Sequence, residues 1–138
     1  MPSADVFLDA NLLLYACSRA DEDAAKSARV QELIVNSRFA LSTQVIQEFI
    51  ANALRKKKLG ISEAGIDATL ELASKVPVQP MTLELIIKAV TLRRRFQISH
   101  WDSTIIAAAQ AMGCTTLYSE DFTHGQKFGD LRVVNPFI

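Results

Sequence analysis

Four carboxylates, Asp9, Glu48, Asp102 and Asp121, stand at positions from which they can meet. Asp9 ends the apolar run Val6-Phe7-Leu8, and Asp121 follows Thr116-Leu117-Tyr118 within Ser119-Glu120-Asp121-Phe122. Glu48 borders the helical stripe Val45, Ile46, Phe49, Ile50 and Ala53. Asp102 precedes Ile105, Ile106 and Ala109 by three, four and seven residues, so its carboxylate opens along the buried face of a helix. Acids gathered in this way repel one another and raise one another's pKa unless a cation joins them. Oxygen-only donors select hard ions, Mg²⁺ or Mn²⁺, over zinc. Such ions activate water and stabilise charge developing on a phosphodiester, so the chemistry indicated is hydrolysis of phosphoryl esters.

Each acid also has a plainer reading. Asp9 precedes a helix and suits an N-cap, worth about 1 kcal/mol. A glutamate at the edge of a helical stripe, like Glu48, is usually just solvated. Ser99-His100-Trp101-Asp102 has capping-box spacing, with the helix dipole favouring the acid. Asp121 suits an Asx-turn, and Glu120 beside it competes for the same role. The metal-site reading rests on the four acting together.

The elements that must position these acids follow from periodicity. Val6 to Leu8 reads as a buried first strand, and Asn11 to Ala16 as a short helix. Asp23 to Asn36 has helical period, with Ala28, Leu33, Ile34 and Val35 as apolar positions. Phe39-Ala40-Leu41 is a second strand, after which Ser42 or Thr43 caps a helix running to about Lys57. Gly60 breaks the chain, and Ser62 to Lys75 is the returning arm of a helical hairpin. Val76-Pro77-Val78 reads as an edge strand. Helices are expected at Thr82 to Phe96, with Leu85, Ile86, Ala89, Val90 and Leu92 apolar, and at Trp101 to Met112. Strands are expected at Thr116 to Tyr118 and Leu131 to Val134. Strands alternating with helices predict an α/β fold with a parallel sheet covered on both faces, in which Asp9 and Asp121 lie at the carboxyl edge.

Composition narrows the class. The 138 residues, 49% hydrophobic, suit one domain with an adequate core. Charge is balanced, 15 Lys and Arg against 15 Asp and Glu, which argues against nucleic-acid binding by overall charge alone. Local basic runs exist at Arg55-Lys56-Lys57-Lys58 and Arg93-Arg94-Arg95; they suit phosphate contact as well as ordinary helix C-terminal charge. Cys17 and Cys114 are far apart and suggest a reducing, cytosolic setting. Met1 to Asp5 lacks the pattern of a signal peptide, and no stretch is apolar and long enough to span a bilayer, so a soluble cytoplasmic protein is expected. No phosphate-loop or dinucleotide glycine pattern is present. His100 and His124 lack metal-ligand spacing, and Trp101 reads as core or site wall.

Taken together, Phe7-Leu8-Asp9-Ala10-Asn11, Ser42 to Phe49 with Glu48, Trp101-Asp102-Ser103 with Ile105 to Ala109, and Leu117 to Phe122 resemble a PIN domain, and within that group the VapC-type toxins of toxin–antitoxin pairs. The resemblance covers nearly the whole chain in order and spacing. It implies a three-layer α/β/α sandwich around a parallel sheet of about five strands. It implies that Asp9, Glu48, Asp102 and Asp121 are the metal-site acids for Mg²⁺ or Mn²⁺, with Asn11 orienting ligands and Ser119 hydrogen-bonding within the site. It further implies endonucleolytic cleavage of RNA, a small antitoxin whose C-terminal segment occupies the site, and a homodimer. Glu120 departs from the neutral or basic residue common between Ser119 and Asp121 in relatives.

Three alternatives belong beside this reading. One is a PIN fold that binds RNA or protein without cutting, and another is a housekeeping RNA-processing nuclease. A phosphoaspartate domain would also place an Asp after its first strand. The phosphatase version wants a second Asp where Asn11 stands, and a receiver wants a late Lys and an acidic pair that are not evident.

Overall fold

The structure is a computed structural model and describes residues 4–138; Met1 to Ser3, part of the segment read for a signal peptide, lie outside the described residues. Strands β1 (Val6–Leu8), β2 (Phe39–Ser42), β3 (Val78–Gln79), β4 (Thr116–Tyr118), β5 (Lys127–Phe128) and β6 (Leu131–Val134) form a sheet in the order β3-β2-β1-β4-β6-β5. All neighbours are parallel except β5 and β6. The helices are α1 (Ala10–Cys17), α2 (Ala24–Asn36), α3 (Thr43–Arg55), α4 (Glu63–Ala73), α5 (Leu83–Phe96) and α6 (His100–Ala111). Single 3₁₀ turns sit at Asp21–Asp23 and Lys57–Leu59.

The fold is the α/β architecture expected, a mostly parallel sheet flanked by helices. The sheet gains one strand that periodicity does not reveal: β5, two residues paired antiparallel with β6 across Gly129, whose φ is +63°. The third strand begins two residues later than Val76-Pro77-Val78 suggests, because Pro77 has no N–H to give to a ladder. Its carbonyl instead accepts from Leu41 N at 3.0 Å.

Central strands are buried on both faces, with Phe7, Leu41 and Leu117 fully enclosed, as a sheet covered on two sides requires. β1 pairs with β2 on one side and β4 on the other. The chain therefore winds outward from β1 to β3, then returns across the sheet through α5 and α6 to β4. Right-handed crossovers put α1 to α4 on one face and α5 and α6 on the other. Between β1 and β4 the winding reverses, and the carboxyl ends of two such strands flank a crevice where ligands bind.

Caps set the helix starts. Ser42 Oγ accepts from Val45 N at 3.1 Å and Ser99 Oγ from Asp102 N at 3.0 Å, so each helix begins where its cap relieves a free N–H. α6 is enclosed almost all round, Ser103 to Ala109 being buried, and its Ala107 meets Leu85 and Ala89 of α5. Phe49 on α3 is fully buried; enclosing a side chain of this size contributes about 1.5–3 kcal/mol.

Apolar positions on the helices divide between core and surface, and the reading of Trp101 as core is corrected. On α2 the buried residues are Val30 and Leu33, while Ala28 is exposed and Val35 is 81% exposed, because the helix presents a narrower stripe to the core than its composition implies. On α5, Leu85 and Ala89 are buried, but Ile86 faces outward with Leu83 and Ile87. Trp101 is 63% exposed and is not core, since at the second position of α6 it points away from the packed side. No helix among the described residues is long and apolar enough to cross a membrane.

Candidate active site

Asp9 follows β1, and its backbone N–H continues the ladder by donating to Tyr118 O at 3.1 Å. Ser119 follows β4, so the two residues face each other across the point where the winding reverses. Asp9 is buried and caps α1, Oδ1 accepting from Ala10 N at 2.7 Å. Ser119 Oγ donates to its other oxygen, Oδ2, at 2.7 Å, and itself accepts from Asp121 N at 3.1 Å. Asn11 Nδ2 donates to Asp121 Oδ2 at 2.9 Å. One hydrogen-bonded chain thus joins Asn11, Asp121, Ser119 and Asp9. The cap reading and the site reading of Asp9 are both satisfied, one oxygen each.

Glu48 lies half-buried on α3, its Oε1 accepting from Gln44 Nε2 at 2.8 Å. It shares with Asp9, Asn11 and Asp121 a cavity of about 390 Å³. Asp102 is half-buried at the start of α6 and is not part of that lining; what links it to the others is the charge of Asp121. The structure therefore gathers Asp9, Asn11, Ser119 and Asp121 by contact, brings Glu48 to the same cavity, and leaves Asp102 outside its lining.

The electrostatics follow from these positions. Burial pushes the Asp9 carboxyl up from 3.8 to about 6; hydrogen bonds from Ser119 and Ala10 pull it down, and the charges of Asp121 and Glu48 push it up further. Burial also raises Asp102, opposed by the Ser99 hydrogen bond and reinforced by Asp121. Among the described residues, no cation pairs with Asp9.

Glu120 behaves differently. Tyr15 OH donates to its Oε1, and Lys26 Nζ donates to its Oε2 at 2.9 Å and to Tyr15 OH at 3.2 Å. The Lys26 ammonium also lies 4.6 Å from the Tyr15 ring centre and 5.0 Å from that of Phe137. Glu120 lines the cavity, but its two oxygens are already engaged by donors.

Among the described residues, no group of three or more His, Cys, Asp or Glu side chains is assembled that could hold an ion as it stands. The donor chemistry nonetheless suits a hard cation. The set is oxygen-only, Asp9 is held against its neighbours' charge, and Asn11 Oδ1 is buried with no hydrogen-bond partner among the described residues. A carbonyl oxygen left bare beside carboxylates is the kind of donor that Mg²⁺ or Mn²⁺ takes.

The family model described as PIN domain matches residues 6–126. The chain belongs to the PIN domain family. Solved structures agree on the fold. The PIN domain superposes on VapC20 of Mycobacterium tuberculosis, a toxin described as cleaving the sarcin–ricin loop, with TM-score 0.67 and 20% identity over 84% of this chain and 89% of that one. It also matches a chain of a toxin–antitoxin complex from Klebsiella pneumoniae, with TM-score 0.67 and 16% identity over 95% and 97% of the two chains. A third likeness is to VapBC2 of Rickettsia felis bound to a DNA fragment from its promoter, with TM-score 0.65 and 19% identity over 93% and 96%. No curated protein sequence matches the chain.

Three features around the site of this PIN domain were not singled out from sequence. Asn52 lines the cavity one turn beyond Glu48, a place the helical period could have indicated. Lys56 and Lys58 line it too, within a run read only as a patch. Tyr15 and Lys26 come from different helices and carry no pattern that links them to Glu120.

Proposed function

We propose that the chain is a single nuclease domain over residues 1–138 that cuts RNA endonucleolytically with Mg²⁺ or Mn²⁺, and that it is the toxin of a type II toxin–antitoxin pair. The observation that carries this reading is the hydrogen-bonded chain Asn11–Asp121–Ser119–Asp9 at the reversal of the sheet, beside Glu48, with no cation paired to Asp9 among the described residues. PIN-domain nucleases generally use divalent ions, and the similar structures include a toxin that cleaves an RNA loop and complexes of toxins with antitoxins.

In this reading Asp9, Glu48, Asp102 and Asp121 hold the ion. When bound, it supplies positive charge to the phosphodiester and lowers the cost of ionising a water. The residues of the chain do the rest. Ser119 fixes the Asp9 carboxylate through Oδ2, and Asn11 holds Asp121 through Oδ2, so the site is set before substrate arrives. Asp9 must be ionised to act, and binding of a cation favours that form. The exposed apolar residues Leu83, Ile86, Ile87 and Trp101 support a protein partner, either an antitoxin or a second copy in a homodimer. Cytoplasmic residence follows from an RNA substrate and from the unpaired Cys17 and Cys114.

The test is cleavage of labelled RNA by purified protein with Mg²⁺ or Mn²⁺, against EDTA and against Asp102→Asn. Metal-dependent cutting that falls by on the order of 10²–10³-fold in the variant is expected. Absence of cutting and of metal binding by calorimetry would move the reading to a non-catalytic RNA- or protein-binding module. Growth arrest on overexpression, relieved by a neighbouring small gene, separates a toxin from a housekeeping nuclease.

A further inference from the structure

The cavity at the site carries six carboxylates, on Asp9, Glu22, Asp23, Glu48, Glu120 and Asp121, and two ammonium groups, on Lys56 and Lys58. A polyanion meets repulsion over most of that lining and attraction at the end of α3. Glu120 is neutralised by Lys26, and Asp23 accepts from Ser18 Oγ at 2.7 Å. Among the described residues the ion pairs are Lys26–Glu120, Arg29–Glu32 and Lys75–Glu71, and none engages Lys56 or Lys58.

These lysines are held in place by backbone. α3 stops at Arg55, and Lys56 leaves the helix with φ −91° and ψ 77° while still donating to Asn52 O at 2.8 Å. The next turn is pinned by Leu59, which is buried and whose carbonyl accepts from Arg19 N at 2.7 Å, and closed by Gly60 at φ +64°. Glu48, Asn52 and Lys56 recur at four-residue spacing, so one polar row of α3 runs from the acids to the lysines, about 12 Å along the axis. That length matches roughly three to four nucleotides of a stacked strand at about 3.4 Å each. Arg93 to Arg95 end α5, on the opposite face of the sheet, and do not line the cavity.

We propose that Lys56 and Lys58 form a subsite for backbone phosphates of the RNA strand, a few nucleotides from the bond held at the acids, and that Arg93 to Arg95 do not. This rests on the ribonuclease reading above. It selects one of the two basic runs and sets the direction in which the strand lies along α3.

The test is fluorescence-anisotropy binding of a fluorescein-labelled stem–loop RNA in EDTA over a KCl series, since ammonium groups need no metal and nothing is cut. Lys56→Gln with Lys58→Gln should weaken binding and make the slope of log K against log[KCl] shallower by about 1.4 to 1.8. The triple Arg93→Gln, Arg94→Gln, Arg95→Gln should leave the slope unchanged. All five side chains are exposed, and matching thermal melts check that the variants fold. An unchanged slope in the lysine variant, a loss confined to the arginine variant, or no binding by the parent protein would each overturn the subsite. If metal-dependent cleavage persists while the slope is unchanged, the subsite alone fails. A shallower slope without any cleavage would keep the subsite and remove the nuclease.

Discussion

On one side of the loop after β4, Asp9 is buried and, among the described residues, is engaged by neutral donors, Ser119 Oγ and Ala10 N. On the other side, Glu120 is met by an ammonium and a phenol, with Phe137 closing over them. Asp9 and Glu120 line the same cavity, yet among the described residues one carboxylate is met by an ammonium and the other is not. Compensated charge needs nothing further and acts as a brace between α1, α2 and the loop. Uncompensated charge opposes folding where it stands, and such strain persists at sites where a ligand later relieves it. The contrast separates Asp9 from Glu120 by the partners each already has.

The sharpest way to break the contrast is Asp9→Asn. RNA cleavage should fall by on the order of 10²–10³-fold. Stability should move the other way. The folded carboxyl, raised from 3.8 to about 6, holds its proton more tightly than the unfolded one, so its contribution favours folding at low pH and is lost as pH rises through about 6. By pH 7 the ionised group opposes folding by about 3 kcal/mol, a figure set by that change in pKa. In EDTA, urea midpoints at pH 4 and pH 7 should therefore differ less in the variant than in the parent protein. Identical pH dependence in the two would remove the claim that Asp9 is strained.

Ser119→Ala gives a smaller effect on the same side. Loss of an orienting hydrogen bond typically lowers metal affinity or activity by about 10–100-fold. The Asp9 oxygen left without its donor costs about 1–3 kcal/mol. Metal titration by calorimetry and a denaturation curve read the two separately. The smallest change is expected from Lys26→Met, which removes the brace but touches none of the proposed metal-site acids. An ion pair this exposed is worth under about 1 kcal/mol, and metal affinity should stay close to that of the parent. A loss of metal affinity as large as that of Ser119→Ala would show the two sides to be one system.

Much of the frame is legible in the chain because it rests on local patterns. The runs Val6-Phe7-Leu8 and Thr116-Leu117-Tyr118 read as strands, and the acids after them fall at the carboxyl edge by topology. Ser42, Ser62, Thr82 and Ser99 mark helix starts by side-chain chemistry, and each accepts a capping bond there. What stays hidden is either too short or too distant. β5 has two residues, less than one alternation, and only the Gly129-Asp130 turn hints at it. The brace joins Tyr15 and Lys26 to Glu120 over 105 and 94 positions, where no period operates. Trp101 misleads because residue type favours burial while α6, apolar nearly all round, does not reveal which of its sides is covered.

The margins of the sheet have a consequence for association. One border is β3, two residues set between Pro77 and Pro80, and the other is β5, two residues that begin with an exposed lysine. Prolines, brevity and a charged side chain are the means by which a sheet discourages strand addition. Another polypeptide finds almost no free ladder to extend here, so recognition of this molecule falls to the side chains of its helices and to its cavity, and its own copies have little template for edge-to-edge stacking.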